Sequence, residues 1–495
     1  SRYRFRHILF QKYVYGTLDD VERAHLHERV GDALETLYRE HEQTAAVALQ
    51  MALHFEKAGI TEKAIRYLQR AGDRAVQLSA YQEATAHLKR AQALLETLPE
   101  PHTEDDRLER RETEMSLLLS LGLARMGEFK DPEWQDAIRR ARDLCQQLGK
   151  SSQLCRVLSD LSIFHYVRAE YQEARELAEE ALTLARGVED PLLMVLCHWQ
   201  LGFISFARGD YLAARAHLAR VISFYDPQEH HRLFRLRRGV DIGLSALAYD
   251  ACSLWCLGYP EQAARSSERA VSLARELDHP WTTVDVLSYG RCLLNEMRRE
   301  ASALKEDAEE VIRLSEGMGF PGWLAHGSSF RAVALTRLGR VQEGLARFRE
   351  AMADRTSMRD LCYASGMLGA LAEAQAAAGQ PAEGLSTLSE ALALVERTGE
   401  RFYEPELYRL KGKLLWMEGD EAEAEASFCQ AVQVARDQHA RSWELRATTS
   451  VCRLWHEQGR DEEARQRLAE IYDWFTEGFS TPDLLEAQTL LEELS

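Results

Sequence analysis

Residues 199–218 read WQLGFISFARGDYLAARAHL, an apolar run ended by Gly209-Asp210 and followed from Tyr211 by a segment in which Ala214 and Leu218 stand four apart. The two halves read as helices joined by a tight turn. Small and large apolar residues at that spacing place one close-packing stripe on the second helix. Similar breaker pairs recur at Ala169-Glu170, Gly258-Tyr259, Arg298-Arg299, Gly339-Arg340, Gly379-Gln380, Gly419-Asp420 and Gly459-Arg460, in steps of 40, 49, 40, 41, 40, 40 and 40 residues. A fixed period of this size is the signature of a repeat architecture. After each breaker the stripe returns, as Ala263 and Ala270, as Gly344, Phe348 and Ala351, and as Ala424, Phe428 and Ala431.

Leu201-Gly202 on the first helix, Gly209-Asp210-Tyr211 at the turn and Ala214 on the second helix resemble the tetratricopeptide repeat. That repeat usually spans about 34 residues, so a period near 40 predicts helices longer by more than one turn. The expected fold is all-α, a TPR-like α-solenoid wound as a right-handed superhelix of about nine helix pairs. The pairs are expected at 107–150, 151–188, 191–227, 236–278, 280–318, 322–359, 361–399, 402–440 and 441–477, with a capping helix at 482–494. One repeat cannot bury its apolar face alone, so stability must come from stacked neighbours. Residues 1–100 are also helical, at 19–40, 43–58, 61–79 and 81–97, but the step fails there. Pro99, Pro101 and the acidic Glu104, Asp105 and Asp106 mark a linker, dividing a helical arm (1–100) from the repeat domain (107–495).

Composition agrees. The chain has 495 residues, 45% hydrophobic and 28% charged, with 29 Gly and 11 Pro, and exceeds what one compact core accommodates. A net charge of -18 repels phosphate backbones and argues against general nucleic-acid binding. No apolar run reaches the length of a membrane span, and the start is no signal peptide, so a cytoplasmic protein is expected. Nine scattered cysteines, an odd number within apolar helical patterns, read as reduced core thiols. The chain opens on Ser1 inside an amphipathic segment, as expected of a piece of a longer protein.

Several segments resemble one family, the region that follows the ATPase core in bacterial STAND-class signal-transduction ATPases. They are Arg4–Tyr15 (RFRHILFQKYVY), His54-Phe55 with Gly59, Ala64-Ile65 and Ala71-Gly72, then Glu404–Leu415 (EPELYRLKGKLL), Arg441–Ala447 (RSWELRA) and Trp474–Leu484 (WFTEGFSTPDL). The resemblance implies that the arm links a nucleotide-binding core to the repeats. It also implies that the repeats are a sensor, holding the ATPase closed until an inducer binds, as in the related maltose-regulon activator. ATP or ADP and Mg would belong to that core; no cofactor is expected in this fragment, which should be monomeric. The implied partners are an inducer, small molecule or protein, and the chain's own ATPase core.

Motifs of catalysis are missing. Gly149-Lys150-Ser151 lacks the first Gly of a phosphate-binding loop, position 144 being Leu144, and Gly317-Met318-Gly319-Phe320-Pro321-Gly322 joins two helices and reads as an inter-repeat loop. Cys252 with Cys256, His230-His231, and His25 with His27 complete no metal set. Neither a G-x-S-x-G elbow nor an H-E-x-x-H motif occurs, so no enzyme is expected. The insertion behind the 49-residue step carries Arg232, Arg235, Arg237 and Arg238, which suit a phosphate or carboxylate, or else ion pairs with a neighbouring repeat. Aligning each unit on its turn places Tyr166, Trp199, Phe203, Phe206, Trp255, Tyr289, His326, Arg409, Trp416, Arg446 and Arg453 on or near the concave wall, as groove residues or as core. A passive scaffold for extended peptides is the alternative function. One version, the carboxylate clamp built on asparagine and lysine, is disfavoured because Asn295 is the chain's lone asparagine.

Overall fold

The computed structural model describes residues 8–38, 44–78, 80–124, 132–238, 240–358 and 360–495, with backbone only at 8–11, 44–46, 132, 235–238 and 357–358. Among these residues every regular element is a helix, and none is long and apolar enough to cross a membrane. The chain divides into two compact units, residues 1–157 and 158–495.

The first unit holds helices Ile8–Thr17, Asp20–Tyr38, Thr44–Lys57, Thr61–Gln77, Tyr81–Thr97, Glu104–Ala124 and Pro132–Gln147, and the start of Ser151–Val167. The four arm helices fall at the expected places, and the proline-containing stretch after Thr97 lies within this unit. Its core is built on Met51, Phe55, Tyr67, Leu68, Leu88, Leu117 and Leu121. Although the sequence period fails here, the packing device does not. A Cβ on Gly72 would come within 2.7 Å of Leu88, and one on Gly202 within 2.5 Å of Leu218. In both halves a glycine on one helix admits a leucine of the next.

From Glu104 onward the helices pair as A and B. Glu104–Ala124 pairs with Pro132–Gln147, Ser151–Val167 with Tyr171–Gly187, and Pro191–Ala207 with Tyr211–Phe224. Ile242–Cys256 pairs with Pro260–Glu276, Pro280–Met297 with Ala301–Met318, and Pro321–Arg337 with Val341–Met358. The last three are Ala364–Ala377 with Pro381–Thr398, Glu404–Met417 with Glu421–Asp437, and Arg441–Glu457 with Asp461–Tyr472. Among the described residues that makes nine pairs, closed by the helix Pro482–Glu493. The longer step is an extra helix, Pro227–Arg238. The fold is a TPR-like α-solenoid.

The turns explain why the breakers recur. One residue of each has positive φ: Ala169, Gly209, Gly258, Arg299, Gly339, Gly379, Gly419 and Gly459. This left-handed residue lets the next amides fold back on the helix end, Gly209 N donating to the Phe206 carbonyl (2.9 Å) and Asp210 N to that of Ser205 (2.9 Å). The Asp210 carboxylate then accepts from Ala213 N at 3.1 Å and starts helix B. Several other helices open on proline, whose missing N–H costs nothing at a first turn, as at Pro191, Pro260, Pro280, Pro321 and Pro381.

In the second unit the A helices of early pairs meet those of pairs almost 200 residues later in the chain. The Val167 carbonyl accepts from Leu361 N (3.0 Å), and that of Ala207 from Arg401 N (2.9 Å) and Phe402 N (3.1 Å). The Trp255 carbonyl accepts from Ser442 Oγ (2.5 Å) and that of Met297 from Arg446 (2.5 Å). The last carbonyls of a helix have no partner within it; here four A helices receive theirs from across the coil. The inner wall is therefore shut against itself, where the sequence reading left it open to a guest.

Two turn glycines separate the cost of a left-handed side chain from that of disturbing this closure. Gly339 (φ +83) has nothing within 4 Å of an added Cβ, whereas at Gly258 (φ +93) a Cβ would meet Trp474 at 2.4 Å and Arg441 at 2.8 Å. Gly339→Ala is expected to cost about 1 kcal/mol and Gly258→Ala at least about twice that, read from urea denaturation midpoints.

Candidate functional site

The A helices of the second unit carry an aromatic stripe, and closure joins the stripes of opposite pairs. Tyr166 lies 4.4 Å from Phe203, ring to ring, and its hydroxyl meets that of Tyr363 at 2.6 Å. Phe206, fully buried, packs on Phe402 at 5.7 Å and Tyr363 at 6.1 Å. Trp255 meets Trp443 edge to face at 4.8 Å, and the Arg446 guanidinium sits over both rings. Tyr289 stacks on Tyr249 at 5.2 Å and remains half-buried. Trp199, buried, packs on Phe203 at 4.9 Å. Edge-to-face and offset pairs at these distances add stabilisation beyond area burial.

Charged groups follow in the later pairs, and most have counter-groups. His326 Nε2 lies 2.7 Å from Asp360, whose other oxygen is 3.4 Å from Arg355. Burial alone would raise the Asp360 carboxyl, but Arg355 and His326 hold it well below the usual carboxylate range. Glu296, at the centre, takes Tyr403 Oη at 2.8 Å and Arg337 at 2.9 Å, and Arg337 reaches on to Glu373. Arg409 forks onto Glu406 at 2.8 Å, and Arg446 onto Asp483 at 2.9 and 2.7 Å. Forked pairs of this kind fix register as well as charge. Beside them lies an open cavity of ≈ 650 Å³ lined by Arg299, Arg337, Glu373, Lys413 and Glu486 among others.

Closure thus gathers Tyr166, Trp199, Phe203, Phe206, Trp255, Tyr289, His326, Arg409 and Arg446 on one wall and packs most of them as core. Two others lie elsewhere. Trp416 turns back between its own A and B helices, 6.5 Å from Phe428, because its position faces the stacking stripe. Arg453 is exposed and pairs with Glu486 at 3.1 Å, at the rim of the cavity. In the inserted helix, Arg232 is already engaged within the protein, and the side chains of Arg235, Arg237 and Arg238 lie outside the described ones. His231 of that helix bonds Asp241 at 2.7 Å, which in turn caps Ile242–Cys256. Cys252 and Cys256 are buried thiols, and burial pushes both up. No group of three metal-binding side chains converges among the described residues.

Sequence reasoning missed Tyr363, Phe402 and Tyr403, which supply the opposite side of the wall. They sit just before their A helices, whereas the alignment was anchored on the turn that ends them; an aromatic at the same place in two successive units, Tyr363 and the pair Phe402-Tyr403, is the signal that was there to find. Glu400 was missed too. Fully buried, it accepts from Tyr171 Oη, Tyr363 N, Ser365 N and Ser365 Oγ, and burial raises its carboxyl.

No family model matches this chain. An uncharacterized protein of Rhizobium meliloti is 23% identical over 472 residues, covering 92% of this chain and 43% of that protein, so the chain spans less than half the length of the curated relative it matches. Among solved structures, a Rap protein complexed with competence and sporulation factor superposes with a TM-score of 0.56 at 10% identity, over 76% of this chain and 99% of that one. A STAND protein with a tetratricopeptide repeat sensor from Pyrococcus horikoshii gives a TM-score of 0.37 at 13% identity, over 94% of this chain and 68% of that one. The likeness to the Rap protein is one of fold.

Removing one partner of a buried ion pair leaves the other uncompensated. Asp360→Asn is therefore expected to destabilise the second unit by about 3–5 kcal/mol at neutral pH. Because the folded carboxyl titrates below its unfolded value of about 3.9, the wild-type contribution is complete above that pH and fades as pH falls towards the depressed value. Denaturation midpoints of wild type and variant should converge in acid.

Proposed function

We propose that this chain is the ligand-sensing and autoinhibitory region of a STAND-type signal-transduction ATPase, cytoplasmic and without catalysis of its own. Residues 1–100 act as the arm to the nucleotide-binding core, and the helix pairs from residue 107 act as the sensor. The observation that carries this reading is the shut inner wall. On this reading the wall also has an open arrangement, and a ligand that binds one of the two better shifts the balance. The STAND-like segments at both ends of the chain support the same assignment. The Rap protein that shares the fold is complexed with a factor, in keeping with partner binding by this chain as well. A passive scaffold for extended peptides asks for a standing groove, and the filled wall counts against it.

Phe402 is 1% exposed and seals the wall against Phe206 and Tyr363. Truncating a core phenylalanine costs about 3–5 kcal/mol, and here part of that falls on the closed state. In the full-length protein, Phe402→Ala and deletion of the repeats should each raise basal nucleotide hydrolysis without inducer. Basal rates unchanged in both would overturn the proposal.

A further inference from the structure

Three neighbouring A helices of the second unit, Pro191–Ala207, Ile242–Cys256 and Pro280–Met297, carry a continuous row of rings, Phe203, Tyr249 and Tyr289, with centroids 5.8 and 5.2 Å apart. Four residues earlier on the same helices stand Trp199, Ser245 and Asp285. Each of these side chains is buried, Trp199 and Asp285 both 7% exposed, and Trp199 Nε1 and Asp285 Oδ2 have no close hydrogen-bond partner; Ser245 Oγ has none that close either, though it lies near enough to Asp285 to lower its carboxyl. Ser288 Oγ is a fourth. Buried polar atoms are nearly always satisfied, and three of these stand one helical turn from a single aromatic row.

The helix that bears Asp285 is itself irregular, widening into a π-helical turn at Leu287–Cys292. Such turns occur often at functional sites. Trp281 and Tyr289 stand four residues to either side of Asp285 on its helix, and Tyr289 packs on Trp323 at 5.4 Å, Trp323 on Trp281 at 6.1 Å. Trp281, Tyr289 and Trp323 are all half-buried, so the layer reaches solvent on this side. Among the described residues Asp285 has no counter-ion. Burial, and the like charge of Asp241, push its carboxyl up to about 7, with Ser245 opposing them. Elsewhere on the wall Asp360, Glu296, Glu406 and Asp483 each have an arginine. Asp285 lacks one, as does Glu400, whose four hydrogen bonds satisfy it.

We infer that the aromatic layer around Asp285 is a binding site for a small organic amine, its ammonium group seated on the Asp285 carboxylate and its apolar body between Trp281, Tyr289 and Trp323. An ammonium supplies the missing counter-charge, its N–H groups satisfy Oδ2 and Ser245 Oγ, and the ring faces attract the cation. A neutral ligand of the same shape offers the rings as much surface and leaves the carboxylate uncompensated. This deepens the sensor reading and rests on it for the meaning of occupancy, though not for the chemistry of the site.

The test uses the 495-residue chain and two matched pairs of probes, phenethylamine with phenethyl alcohol and tryptamine with tryptophol, followed by thermal unfolding and calorimetry. A ligand that binds only the folded state raises the melting temperature. At least one amine should raise it where its alcohol does not, and Asp285→Asn should weaken that amine by at least about tenfold. Should the variant fail to fold, the amine-to-alcohol contrast in wild type decides. Equal binding of amine and alcohol, an amine that binds Asp285→Asn as well as wild type, or no binding by either amine would each overturn the inference. None of those results bears on the sensor reading, which stands or falls with basal hydrolysis in the Phe402→Ala protein.

Discussion

The second unit depends on a shortage at the ends of its A helices. A helix leaves its last carbonyls without partners, and a neighbouring pair supplies few donors for them, as Arg337 does for the Glu296 carbonyl. Val167, Ala207, Trp255 and Met297 find them across the coil, from Leu361, Arg401, Phe402, Ser442 and Arg446. Once those bonds form, most of the A-helix side chains between them lose contact with water. The aromatic wall and its paired charges follow from that constraint.

The ion pairs of the wall are arranged so that none stands alone. Arg446 serves Asp483 and the Met297 carbonyl while covering Trp255 and Trp443, and Arg299 extends the line to Asp483 and Glu486. Buried pairs of this sort contribute little net stability against an apolar replacement, yet they penalise every other register heavily. In a wall built from similar helices, aromatic contact alone would tolerate a slip by one pair; the ion pairs of Arg337 and Arg446, which join different helices, do not.

Much of the architecture was legible in the sequence because it is local. The breaker pairs marked the left-handed residues, since only a chain reversal needs Gly209 or Gly339 there, and the 49-residue step marked the helix Pro227–Arg238. The sorting of A-helix residues into groove and core was not legible. It depends on curvature, which accumulates from small rotations at every pair and has no signature at any one of them. Thus Phe203 and Phe206 could be placed on the inner face but not against Tyr249, Tyr363 and Phe402. Trp416, read from its register alone as a wall residue, belongs to the stripe behind it. Asp285 stayed hidden for another reason, that a carboxylate in an apolar helix draws notice only when its surroundings fail to answer it.

The span of the closing contacts also bears on how the chain is made. Tyr166 and Tyr363, joined through their hydroxyls, are 197 residues apart. At typical rates of synthesis of about 5–20 residues per second, roughly 10–40 s separate their emergence from the ribosome. For that interval the half-made coil shows water a face of tyrosine, phenylalanine and tryptophan that the finished protein hides. The nascent chain is accordingly a client for whatever shields apolar surface in the cell, and truncation after the early repeats leaves that surface bare for good.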